Sequence, residues 1–237
     1  LVLCHLDHGL RPESAADAQW CMRFALAHGL EARIERVDVA GLAAGLRCGI
    51  EEAGREARYA FFGRIARERV CGRVLLAHHA DDQVETFVFR LLRGSGSGGL
   101  GGMAAHAVRI QDGMRLELIR PMLGVWRSEV DAFVEARGLA YREDASNADP
   151  RWTRNRIRKD LLPAMEHFMG RPVRVALWRA AELLRGEREA LDALDPLLEE
   201  VPSRLDVADL RVLSVGLRRR RVVHWLRGLG VSGVGFE

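Results

Sequence analysis

Lysine is almost absent from this chain: of the 36 Lys and Arg residues in 237, only Lys159 is a lysine. The glycine-rich stretch 94–102 therefore lacks the lysine of a Walker-type phosphate loop, which excludes that motif. Cysteine is sparse as well. Cys4, Cys21, Cys48 and Cys71 form no CxxC pair, which argues against zinc or an iron–sulfur cluster and for free, buried thiols in a reducing cytoplasm. No apolar run approaches the roughly 20 residues of a membrane span, and no secretory signal is visible. The chain is therefore expected to be cytoplasmic, with no membrane partner. An initiator methionine is missing too: Leu1 leads straight into what reads as a core strand, and residues are expected before it. There is no internal repeat, and strand signals vanish after about Met165.

What is present is the composition of a soluble globular protein, 48% apolar and 29% charged, with enough chain for one large domain or two modest ones. A net charge of +3 does not by itself imply nucleic acid. The preference for Arg supplies planar forks suited to phosphate, although biased codon usage is the simpler cause of the total.

The order of signals is strand, helix, strand, helix, strand, helix. Strands are expected over 1–6, 31–39 and 73–77, and helices over 14–28, 50–69 and 81–92. This is the pattern of a parallel, doubly wound sheet. A hairpin follows around Asp112-Gly113, then a helix over 126–137 and a polar, irregular stretch over 143–154. A further helix is expected over 153–162, stopped by Pro163, and helices again over 171–200 and 207–228.

The densest chemistry lies in residues 76–103, LAHHADDQVETFVFRLLRGSGSGGLGGM. An apolar strand ends in His78 and His79, and a helix opens on Asp81 and Asp82. Val84, Phe87, Val88, Leu91 and Leu92 form an apolar stripe. Asp82 and Glu85, three apart, are expected together on the opposite, solvent side. Two carboxylates there can hold an amine or a metal. The plainer alternatives are that Asp81 caps the helix and that Glu85 is merely solvated. HLDHG brings His5, Asp7 and His8 to the same rim of the sheet, where sites of this fold collect. The glycine-rich stretch can let backbone amides approach a phosphate or serve as a flexible loop. In RWTRNRIRK, Arg151, Arg154, Arg156, Arg158 and Lys159 surround Trp152, which suits an RNA backbone, a triphosphate or a solvated helical face. The run Arg218–Arg221 reads as a solvated face.

Five stretches in order, HLDHGLRPES, GREARYAFF, LAHHADDQVETFVFRLLRGSGSGGLGGM, RPMLGVWRSEV and DASNADPRWTRNRIRKDLLP, together resemble the tRNA(Ile)-lysidine synthetases. That family lies within the PP-loop, or N-type ATP pyrophosphatase, superfamily. The resemblance runs over residues 5–163, and the helical tail looks like the family's second domain. It implies an α/β catalytic domain over 1–164, its doubly wound sheet mostly parallel, and a smaller all-α domain over 165–237. It also implies an activity: ATP adenylates the C2 oxygen of the wobble cytidine in a CAU-anticodon tRNA(Ile), and the side-chain amine of L-lysine then displaces AMP. By resemblance, Asp82 and Glu85 bind lysine, and His78 and Arg58 line the reaction centre. Asp7, His8, Gly94 and Gly96 are the candidate nucleotide contacts, and Arg151, Arg154, Arg156 and Arg158 the tRNA contacts. Mg2+ enters with ATP rather than as a resident metal, and a homodimer stays open.

One departure from the family is plain. Its SGGxDS pyrophosphate loop is absent and is expected upstream of HLDHG, so this stretch alone is expected not to adenylate tRNA. Alternatives are another PP-loop tRNA-modifying enzyme, a phosphoesterase holding metals through His5, Asp7, His8, His78, His79 and Asp81, and a noncatalytic RNA-binding module.

Overall fold

The apolar run LVLCHL and the alternating EARIER form two adjacent parallel strands, β1 (Val2–Asp7) and β2 (Glu31–Arg36), connected by helix α1 (Ser14–Ala27). A second sheet holds β3 (Arg73–Leu75), β4 (His106–Gln111) and β5 (Met114–Ile119) in the order β3-β5-β4. In it β3 and β5 run parallel, and β4 and β5 form the antiparallel hairpin, turning at Asp112 and Gly113 with positive φ. The computed structural model describes residues 1–143, 149, 151–194 and 202–231, and of Arg227 only the backbone. The DASNA stretch at 144–148 and the expected helical residues 195–200 lie outside the described residues.

The remaining elements are α2 (Val39–Leu46), α3 (Ile50–Glu68), α4 (Ala80–Leu92), α5 (Ser97–Leu100), α6 (Arg127–Ala136), α7 (Thr153–Arg156), α8 (Leu162–Met169), α9 (Arg174–Ala193), α10 (Val207–Arg211) and α11 (Val215–Gly228). A π turn, Ile157–Leu161, joins α7 to α8.

The chain divides into two compact units. The first takes in residues 1–77, 105–121 and 134–144. There α3 lays Tyr59 and Ala66 against Leu116 and Leu118, the two inward positions of β5, while α2 packs Val39 and Ala43 on Ala53. Gly54 of α3 is needed for close approach: a Cβ there would lie 3.0 Å from Nδ1 of His8. The second unit takes in 78–104, 122–133 and 145–237. Its core gathers Val84, Phe87 and Val88 of α4 with Ile157, Leu162, Val173 and Ala181.

Three expectations change. The second strand ends at Arg36, because Asp38 accepts the Gly41 amide at 2.9 Å and so starts α2, which the sequence pattern did not reveal. Pro163 does not stop its helix. It falls in the first turn of α8, where the missing N–H costs no bond, and the helical path continues to Met169. None of the four free thiols is fully buried: Cys4, Cys21 and Cys48 are half-buried and Cys71 is exposed.

Candidate active site

The N-terminus of α4 carries the acidic residues. His79 is the cap residue, and its amide donates to Asp82 Oδ2 at 2.9 Å, so Asp82 closes the first turn of its own helix. Asp81 does something else. It accepts the Arg127 amide at 2.9 Å, at the start of α6, and faces Arg174 Nη1 of α9 at 3.3 Å. The capping expected of Asp81 is thus directed to a neighbouring helix, where the carboxylate also meets that helix's positive end.

Glu85 is not on a solvent face. It is 1% exposed, and both of its oxygens are taken by one guanidinium. Arg158 Nε donates to Oε1 at 2.5 Å and Nη2 to Oε2 at 3.0 Å. The same Nη2 stands 3.5 Å from Asp82 Oδ1. The reason lies in the packing of α4. The helix is covered by α5, α7, α9 and the π turn, so all six residues from Gln83 to Val88 are buried. Its expected stripe is displaced toward the N-terminus, and Leu91 and Leu92 are exposed. Burial pushes the Glu85 carboxyl above its ordinary range, against the hydrogen bonds and charge of Arg158. Those bonds raise the Arg158 pKa in turn. The two shifts differ in meaning because the costs differ: Glu85 loses its water entirely, whereas the Arg158 side chain keeps 35% of its surface.

The glycine-rich stretch is pinned. Gln83, fully buried, donates to the Met103 carbonyl at 3.0 Å and accepts the Met103 amide at 2.7 Å. Arg90 donates to the carbonyls of Gly99 and Gly102, Arg185 to that of Met103 and Arg188 to that of Gly98. Gly94, at φ +74°, spends its amide on the Leu91 carbonyl, and Gly96 precedes α5. No local pattern marks these clamps, except that a glutamine in an apolar helix must find partners once it is buried.

In the first unit, Asp7 is buried at the end of β1 and accepts the Gly9 amide at 2.9 Å. Burial alone would raise its pKa, but the Gly9 amide, the Ser14 hydroxyl and the Arg36 charge hold it below the ordinary value. His8 follows, against Gly54 of α3. Arg58 stands exposed on the same helix, one turn beyond Gly54. His78, half-buried, opens the second unit three residues after β3.

The basic cluster separates. Arg151 is exposed and forks onto Asp149, Arg154 is half-buried and Arg156 exposed, while Arg158 turns to Glu85. Within Arg218–Arg221, two residues are structural rather than solvated. Arg218 donates to the carbonyls of Leu210, Arg211 and Leu213, and Arg220 to that of Arg188. Among the described residues, no three His, Cys, Asp or Glu side chains gather as metal ligands. No helix among them is long and apolar enough to cross a membrane.

Parallel strands joined by helices define an α/β protein, a class whose sites usually lie at the carboxyl ends of the strands. A family model described as the PP-loop domain matches residues 1–165, and the chain belongs to that family. Among its relatives are two proteins named tRNA(Ile)-lysidine synthase. The one from Ralstonia nicotianae is 38% identical over 237 residues, covering 99% of this chain and 49% of the relative. The one from Geobacter sulfurreducens is 41% identical over 233 residues, covering 93% and 47%. The chain thus spans about half the length of the curated relatives it matches. Among solved structures, the U34-tRNA thiolase NcsA from Methanococcus maripaludis, with its [4Fe-4S] cluster, matches with a TM-score of 0.59 at 18% identity, over 78% of this chain and 61% of that one. That likeness speaks for the fold alone.

Proposed function

We propose that the complete protein carrying this chain is a cytoplasmic ligase that joins L-lysine to the wobble cytidine of a CAU-anticodon tRNA(Ile), cleaving ATP to AMP and pyrophosphate. The observation that carries the reading is the 38% identity to a tRNA(Ile)-lysidine synthase along 99% of the chain. The acidic N-terminus of α4 supports it, since an alkylammonium substrate needs a carboxylate and Asp82 keeps 18% of its side chain in water.

The chemistry runs in two displacements. The cytosine C2 oxygen attacks the α-phosphate of ATP, and pyrophosphate leaves. The lysine side-chain amine, after losing its ammonium proton, attacks C2, and AMP departs with the oxygen. Adenylation is what turns a poor leaving group into a good one. Asp82 and Glu85 are the proposed acids of the lysine site, and Arg58 and His78 the proposed reaction-centre residues. Asp7, His8 and Gly96 are proposed to contact nucleotide, with Gly94 shaping the turn. Arg151, Arg154 and Arg156 are proposed to meet tRNA phosphates. Mg2+ belongs to the ATP substrate, held mainly by its phosphates as this ion usually is.

The test is AMP release by the complete protein. AMP is expected only when ATP, L-lysine and a CAU-anticodon tRNA(Ile) are all present. Equal AMP release without lysine, or with a sulfur donor in its place, overturns the reading.

A further inference from the structure

We propose that Arg188 is a positioning residue for the nucleotide: from α9 it holds the open end of the glycine-rich segment at Gly98, and Arg220 of α11 holds Arg188 in turn. This rests on the reading above that the segment meets ATP.

The glycines of the segment serve two different ends. At Gly101 and Gly102 a side chain has no room. A Cβ on Gly101 would lie 3.0 Å from Cα of Arg185, on a helix backbone that cannot yield, and one on Gly102 would lie 2.5 Å from Oε1 of buried Gln83. Both are glycine for close packing, against α9 and α4. Their end of the segment is fixed further by the bonds of Arg90 and Arg185 to its carbonyls. At Gly94 and Gly98, by contrast, a Cβ would meet nothing within 4 Å. Gly94, Ser97 and Gly98 are exposed, so this end is the one open to a ligand.

Arg188 reaches that open end from α9. Its Nη1 donates to the Gly98 carbonyl at 3.2 Å. Arg188 is itself held. Its Nε lies 3.9 Å from Asp192 Oδ2, one turn further along α9. Nη2 of Arg220, from α11, donates to Asp192 Oδ1 and, at 2.7 Å, to the Arg188 carbonyl. The contacts thus run from α11 through α9 to Gly98, all within the second compact unit. An open end fixed in this way before ATP arrives spares the nucleotide the cost of ordering it. The helical tail, which the resemblance sets apart as a second domain, then takes part in the nucleotide step, and α11 does so through Arg188 alone of the groups that meet the segment's open end.

The experiment measures kcat and the KM values for ATP and L-lysine in AMP release by the complete protein and its Arg188→Met, Arg220→Met and doubly substituted forms. Arg188→Met is expected to raise the ATP KM by about fivefold or more and to leave the lysine KM within about twofold of wild type. Arg220→Met is expected to raise the ATP KM about threefold, and the double variant to match Arg188→Met within about 1.5-fold, because Arg220 acts through Arg188. A purely architectural role lowers the active fraction, and with it kcat, while both KM values stay put; that outcome overturns the inference. So does a double variant in which the two effects multiply. Hydrogen exchange followed by mass spectrometry needs no variant. In the wild type, peptides covering residues 94–98 are expected to exchange more slowly with ATP bound, and unchanged exchange there overturns the inference. If the wild type shows no lysine-dependent turnover, the ligase reading fails, while exchange with ATP alone still decides this inference. Lysine-dependent turnover with an unchanged ATP KM in Arg188→Met refutes this inference alone.

Discussion

Arg158→Met is the substitution whose cost the structure bounds most closely. It strips the guanidinium from a carboxylate that is 1% exposed and whose two oxygens both accept from it. Breaking one side of a buried pair ordinarily costs about 3–5 kcal/mol. Two features hold this case near the lower end. The Arg158 side chain is 35% exposed, so water already screens part of the attraction. Glu85 can also escape by taking a proton. Against an ordinary value of 4.5, that route costs about 1.4 kcal/mol per pH unit, or roughly 3.4 kcal/mol near pH 7 and about 2 kcal/mol near pH 6. Destabilisation is therefore capped and shrinks with acid. The sign for the wild type agrees. A carboxyl raised in the folded state supports stability fully below its unfolded value and withdraws that support as the pH rises through its folded value. Urea unfolding followed by tryptophan fluorescence suits the measurement, since Trp126 and Trp178 pack against the core that includes α4. A loss below about 0.5 kcal/mol near pH 7, or one that does not diminish toward pH 6, would refute this reasoning.

Three other substitutions probe separate parts of the account. Gly102→Ala places a Cβ about 2.5 Å from the buried Gln83 amide at φ +67°. It is expected to cost roughly 2 kcal/mol or more through left-handed strain and loss of the Met103 clamp, and an unchanged urea midpoint contradicts that. Arg154→Ala and Arg156→Ala are each expected to weaken tRNA binding and to lower the slope of log affinity against log salt by about one, with little effect on the lysine KM. A filter-binding titration across salt concentrations checks this, and an unaltered slope removes the residue from the interface.

Much of the fold was readable because local signals and burial agree. The spacing in LVLCHL, IEEAGREARYAFF and DDQVETFVF placed β1, α3 and α4 within a residue or two. Asp112-Gly113 placed the hairpin turn. What escaped was set by tertiary packing. A helix enclosed on several sides does not keep an exposed acidic face, so Glu85 went from an expected surface residue to the buried end of an ion pair spanning 73 positions. No local periodicity encodes that partner. The same holds for Asp81, which completes a different helix from the one it begins, and for the arginines that close the glycine-rich loop through its carbonyls. At Pro163 the local rule was sound, but the π turn before it let the helical path continue.

The central claim is that lysine becomes covalently joined to the wobble cytidine. Its most direct test is nucleoside analysis by mass spectrometry of CAU-anticodon tRNA(Ile) after incubation of the complete protein with ATP and isotopically labelled L-lysine. The account predicts one labelled lysine on the wobble cytidine, with one AMP released for each. Unmodified cytidine despite ATP cleavage, or a sulfur-containing base at that position, would contradict it.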